Sequence, residues 1–197
     1  MNVRGFTKRE ENKMAIIMYV DQPGKELDIE TTHPHFTAHF KASFYLDRAD
    51  AFGPFGYEDG LEVLKRLEEY FNDKSDQGLN LSAFPKYMME TVKQASYVAA
   101  KDDGIERLQQ LVAEFGEDVR LSDRITISAA LAQIKITGYI LPALRDAALE
   151  SLHREIELNK IEHIDTGYAD IIFYDLLTFT KDYTSVMPDM WCRHCTE

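Results

Sequence analysis

The chain has 197 residues, 45% of them apolar and 28% charged, with a formal net charge of −12. That length and composition suit one well-filled core and exclude wholesale disorder, and no apolar run reaches the roughly 20 residues of a membrane helix. The acidic balance disfavours DNA or RNA as a direct ligand, because binding them requires positive surface that displaces phosphate counterions.

The N-terminus, MNVRGFTKREENK, is polar and lacks the apolar segment of a signal peptide. MAIIMYV at 14–20 reads as a β-branched strand closed by a turn at Pro23-Gly24, and ELDIETT can return as a second short strand. The clearest strand is PHFTAHFKASFYLD. Phe36, Ala38, Phe40, Ala42, Phe44 and Leu46 alternate with Thr37, His39, Lys41, Ser43 and Tyr45, which gives one dry and one wetter face. A small antiparallel sheet or hairpin is expected over residues 1–50.

AFGPFGYEDG at 51–60 is a loop of turn residues, and everything after it reads as helix. Leu61, Leu64, Leu67 and Phe71 step by three and four. Ser82 can cap a second helix with Phe84, Met88, Val92 and Ala95 as its stripe. Asp102 or Asp103 can cap a third that stops at Gly116. A long apolar segment follows from Arg124 to about Tyr139, capped by Ser122, and Pro142 forces a restart into a helix ending near Asn159. The last helix, from about Asp165, is apolar nearly all round and is expected at the centre of the bundle. The expected fold class is α+β: one domain over 1–197, with a β-rich layer at 1–50, a bundle of about six helices at 58–184 and a tail at 185–197.

No nucleotide cradle, nucleophile elbow or His-Glu-x-x-His helix is present, so nothing in the sequence marks a catalytic site. The cysteines, only three positions apart, cannot staple a secreted fold, which points to a reducing cytoplasm. They lie in WCRHC at the C-terminus, where Cys192, His194 and Cys195 form half of a zinc-type ligand set. His33 and His35, with His39 beyond, are the only local histidine cluster that could complete it. That pairing would join the tail to the sheet edge. No cofactor other than such a zinc is expected.

Paired carboxylates such as Glu58, Asp59 and Glu62 fall on polar helix faces. Asp170 and Asp175 instead sit in the apolar last helix, where a buried one needs a partner. Ten tyrosines and eleven phenylalanines exceed what a small core needs. Phe52, Phe55 and Tyr57, crowded between glycines in the loop, are the candidate interaction residues.

Residues 1–48 carry seven charges of each sign, so the whole deficit falls on the rest of the chain. Solubility alone explains such a surface most simply. The functional expectation is an acidic soluble interaction or regulatory protein that modulates a basic macromolecular partner. Its extreme form is an inhibitor or DNA mimic of the mobile-element type. The alternative is a metal-dependent enzyme or zinc-stabilised protein using the tail and the histidines. The helix from Thr126 to Ile140 also has apolar surface enough for a homo-oligomeric contact.

Overall fold

The computed structural model describes residues 17–72, 80–101 and 104–182, and the structural statements below concern these. They form seven α-helices: α1 (Pro34–His39), α2 (Glu58–Asn72), α3 (Phe84–Tyr87), α4 (Ile105–Phe115), α5 (Glu117–Thr137), α6 (Pro142–Glu162) and α7 (Gly167–Thr178). Among the described residues there is no strand, and β pairing is confined to isolated bridges between Gln22 and Lys25 and between Ile140 and Asp182. The α+β expectation is overturned. The fold is helical.

The error lies in PHFTAHFKASFYLD. Phe36, Phe40 and Phe44 are four apart, an even spacing that also repeats on one helix face, so they fit either period. Pro34 settles it. It opens α1 at a position where its missing amide hydrogen costs nothing. His33 caps the same turn, its Nδ1 accepting from the His35 amide at 3.0 Å. Ala38 is exposed and Tyr45 is buried, the reverse of the strand reading. The chain then turns through a 3-10 segment at Ser43–Leu46. Nor does ELDIETT form a strand. Asp28 caps a 3-10 turn at Ile29–Thr31 by accepting from the Glu30 amide. Of MAIIMYV, residues 14–16 lie outside the described residues. Ile17 is exposed, and Tyr19 donates its amide to the Ile136 carbonyl.

The longer helices after residue 57 follow the expected pattern with shifted ends. The second expected helix is short, passing from Phe84–Tyr87 into a π turn that ends at Val92, before Ala95, and Asp102 and Asp103 lie outside the described residues. Asn80, rather than Ser82, caps the turn before α3. Gly116 and Gly138 close α4 and α5 with positive φ. Pro142 opens α6. Ser122 lies inside α5 rather than at its start.

The central helix is α5, not α7. Apart from Arg124, every side chain from Ser122 to Thr137 is buried, enclosed mainly by α6 and α2 with α1, α3 and α4 around them. The helix expected to supply an oligomer contact is thus spent on its own core. In contrast, α7 packs on α6 and leaves one face open. Among the described residues, no helix is long and apolar enough to cross a membrane.

Burial of α5 includes Lys135, which has no exposed side-chain surface. Its ammonium lies 2.7 Å from Asp21 Oδ1 and 3.4 Å from Glu68 Oε1, and donates to the Thr31 carbonyl at 3.2 Å. Asp21 also accepts from the Leu27 amide and the Thr31 hydroxyl, so this cluster fastens the segment before α1 onto α2 and α5. Replacing Lys135 by Met strands two buried carboxylates without a cation. Denaturant unfolding of Lys135→Met is expected to show a loss of about 3–5 kcal/mol. Adding Asp21→Asn and Glu68→Gln should restore much of it.

Candidate functional site

The aromatic loop at 51–57 folds back on α5 and α7 instead of extending into solvent. Ser128 of α5 donates its hydroxyl to the Pro54 carbonyl at 2.8 Å. Gly60 makes that approach feasible, since a Cβ there would stand 2.0 Å from the same carbonyl oxygen. The three candidate aromatics take three different positions. Phe55 is buried in the core. Phe52 is 59% exposed and stacks on Tyr168 of α7, with ring centroids 4.9 Å apart. Tyr57 lies under the Arg124 guanidinium, 5.4 Å from its ring centroid, an attractive cation–π placement.

Between this loop and helices α5, α6 and α7 is a cavity of about 270 Å³. Its apolar wall includes Phe52, Ile127, Tyr168 and Ile172, and its polar wall Arg120, Arg124, Glu155 and Glu162. Asp123, which also lines it, is held in a closed ion pair. Arg154, 1% exposed, grips both oxygens of Asp123 at 2.7–3.1 Å and donates to the Val98 and Ala99 carbonyls.

Nearer the opening, Arg120 donates to Asn159 Oδ1 at 2.9 Å. Its Nη2 lies 2.7 Å from Glu162 Oε2 yet makes no hydrogen bond, so that contact is an ion pair without donor alignment. Arg124 Nε is buried and has no hydrogen-bond partner among the described residues. Burial raises the Glu155 carboxyl above its usual range, against the pull of Arg120 and Arg124. Burial also raises the Tyr57 hydroxyl, which Arg124 lowers and Glu155 and Asp50 raise further.

None of Arg120, Arg124 and Glu155 was singled out from the sequence. A usable signal was present: Arg120 and Arg124 are one turn apart, as are Glu155 and Asn159, and each pair therefore shares a helix face.

Elsewhere, the expected positions resolve into structural roles. Asp175 accepts from the Tyr45 hydroxyl at 2.8 Å, and Asp170 from the Thr166 hydroxyl at 2.6 Å. Lys93 holds Asp59 and Glu62, each at 2.6 Å.

Cys192, His194 and Cys195 lie outside the described residues. The rings of His33 and His35 do come together, 4.6 Å between centroids, but at a helix cap rather than a sheet edge. His33 Nδ1 is taken by the His35 amide, while His35 Nδ1 lies 3.0 Å from the Gly138 carbonyl, which it can only meet as a donor. Gly138 has φ +76°, and a Cβ there would lie 2.2 Å from the His33 ring. His39 sits apart, its Nε2 2.7 Å from the Asp175 carbonyl. Among the described residues, no three His, Cys, Asp or Glu side chains are grouped to hold a metal ion.

Burial, helped by the neighbouring His35, lowers the pKa of His33 to about 4. The unfolded chain therefore binds a proton here below about pH 6.5 that the folded chain refuses. This residue's contribution to stability is complete above that pH and is lost as pH falls through 4. Asp123 has the opposite sign. Burial raises its carboxyl above the usual range, against the pull of Arg154. Its contribution is complete below about pH 4 and is lost as pH rises through that raised value. Unfolding free energies should show His33→Asn, which keeps a cap acceptor, gaining on the wild type as pH falls from about 7 to 4.5. Asp123→Asn should gain in the other direction.

No protein-family model matches the chain, and no solved structure does. A stretch of 139 residues, 69% of this chain, is 33% identical to the uncharacterized protein YfeS of Escherichia coli (strain K12). That stretch covers 55% of the relative, so the chain spans about half the length of the curated protein it matches.

Proposed function

We propose that this chain is an acidic, non-enzymatic interaction module that docks a basic protein partner on the outer face of α7. The observation that carries the reading is a row of Ile171, Tyr174 and Leu177, spaced by three along α7. These side chains are 44%, 65% and 50% exposed. Ile164, just before the helix, and Phe52 of the aromatic loop are exposed as well. The exposed Asp165 and Asp170 lie at the same end of α7.

An apolar centre with a charged margin is the usual anatomy of a protein interface. It supports docking of a protein over a plain array of carboxylates that imitates a phosphate backbone. The net charge of −12 selects a basic partner and opposes a second copy of the same chain. Inhibition of the partner is the regulatory form of the proposal.

Tyrosine at the centre of such a patch is the expected anchor. The double variant Tyr174→Ala, Leu177→Asp should retain the wild-type melting temperature, because both side chains are exposed. Binding to any basic protein captured by the wild type should weaken by roughly a hundredfold, about 1.4 kcal/mol for each tenfold step. The association should also fall steeply as salt is raised. Capture that survives both the substitutions and high salt would refute the proposal. A wild-type dimer in sedimentation, abolished by the same substitutions, would reassign the face to self-association.

A further inference from the structure

We infer that the cavity beneath the aromatic loop binds a free zwitterion, an α-amino acid with an apolar side chain. Its volume, about 270 Å³, lies just below the roughly 300–1,000 Å³ of ordinary ligand pockets. The occupant is a monomer of metabolite size.

The charges on the wall select its chemistry. Asp123 is closed off by the two-pronged grip of Arg154, and Arg120 is engaged by Asn159 and Glu162. Asp165, at the exposed edge, accepts from the Gly167 amide, which leaves Arg124 and Glu155 as the inner pair of opposite sign. Arg124 makes no hydrogen bond through its guanidinium among the described residues, and its Nε is buried without an acceptor. Glu155 lines the same cavity on α6 and accepts no hydrogen bond from a described residue. The two lie close enough to influence each other electrostatically, yet they form no ion pair.

A buried Nε–H without an acceptor is unfavourable, and the attraction of Arg120 and Arg124 does not outweigh the desolvation of Glu155. A ligand that carries both charges compensates both groups. Its carboxylate meets the planar guanidinium of Arg124, a geometry in which charge-assisted bonds are strong. Its ammonium meets the Glu155 carboxylate. Its side chain lies against Tyr57, Tyr168 and Ile172. A simple anion or a simple cation satisfies only one of the pair.

The test uses the intact wild-type protein with calorimetry and thermal melts. Phenylalanine, leucine and methionine are compared with phenethylamine, which lacks the carboxylate, and 3-phenylpropionate, which lacks the ammonium. Glycine supplies the control without a side chain. At least one of the three amino acids should bind and raise the melting temperature, and both one-charge analogues and glycine should bind roughly tenfold or more weakly. Arg124→Gln and Glu155→Gln, checked for wild-type circular dichroism, should each abolish the preference for the zwitterion. The Tyr174→Ala, Leu177→Asp variant should bind it as the wild type does, so this outcome is independent of the α7 surface. The proposal is overturned if none of the three amino acids binds, which would leave the gap to water, or if a one-charge analogue binds equally well.

Discussion

Helix α5 is enclosed by protein, and that constraint organises the rest of the molecule. A buried helix satisfies its own backbone, but its polar side chains have no water to turn to. Thr126 and Thr137 bond back to carbonyls of the helix itself, and others reach different parts of the chain. Ser122 accepts from the Val98 amide, Asp123 takes Arg154 of α6, and Ser128 holds the aromatic loop at Pro54. Gln133 accepts from the Leu141 amide at the turn into α6, and Lys135 fastens the segment that precedes α1. The apolar side chains of α5 supply the driving force for burial. Its polar side chains determine which segments lie where.

This satisfaction is incomplete, in the cavity and outside it. Four buried side-chain nitrogens among the described residues lack a hydrogen-bond partner, and two of them, Arg120 Nη2 and Arg124 Nε, belong to the cavity wall. Both arginines stand on α5, within a turn or so of the fully satisfied Asp123. The contrast between a closed pair and open groups beside it separates a structural ion pair from a recognition surface more clearly than charge content does. The aromatic loop contributes the other half of the enclosure, held down by a hydroxyl from α5 and by the close passage that Gly60 permits.

Much of the helical half was legible in the sequence because its signals have one interpretation. Leucines stepping by three and four in α2, Gly116 and Gly138 as stops and Pro142 as a start each specify a local backbone state. The N-terminal part was misread because Phe36, Phe40 and Phe44 satisfy periods of both two and four. The deciding residue is Pro34, which opens a helix where its missing amide hydrogen costs nothing. Ranking the burial of helices by apolar content failed for a related reason. Helix α7 is the more apolar, yet Ile171, Tyr174 and Leu177 face outward, while α5 buries a lysine and an aspartate. A sequence shows that Lys135 or Asp123 is charged. It does not show that Asp21 and Arg154 will arrive beside them. The cavity was invisible for the same reason, since Arg124 and Glu155 come from different helices and meet only in the folded chain. Only the loop aromatics pointed to that region, and only one of the three is strongly exposed there.

The Lys135 cluster also bears on the order of assembly. Its carboxylate partner Asp21 is 114 residues away along the chain, and Glu68 is 67 residues away. During synthesis both acids leave the ribosome well before the lysine that neutralises them. The segment before α1 must then remain a solvated, charged strap until α5 is made, because it has no anchor worth its desolvation before that. Closing so long a loop is entropically slow. The strap can therefore gain this anchor only once α5 is in place.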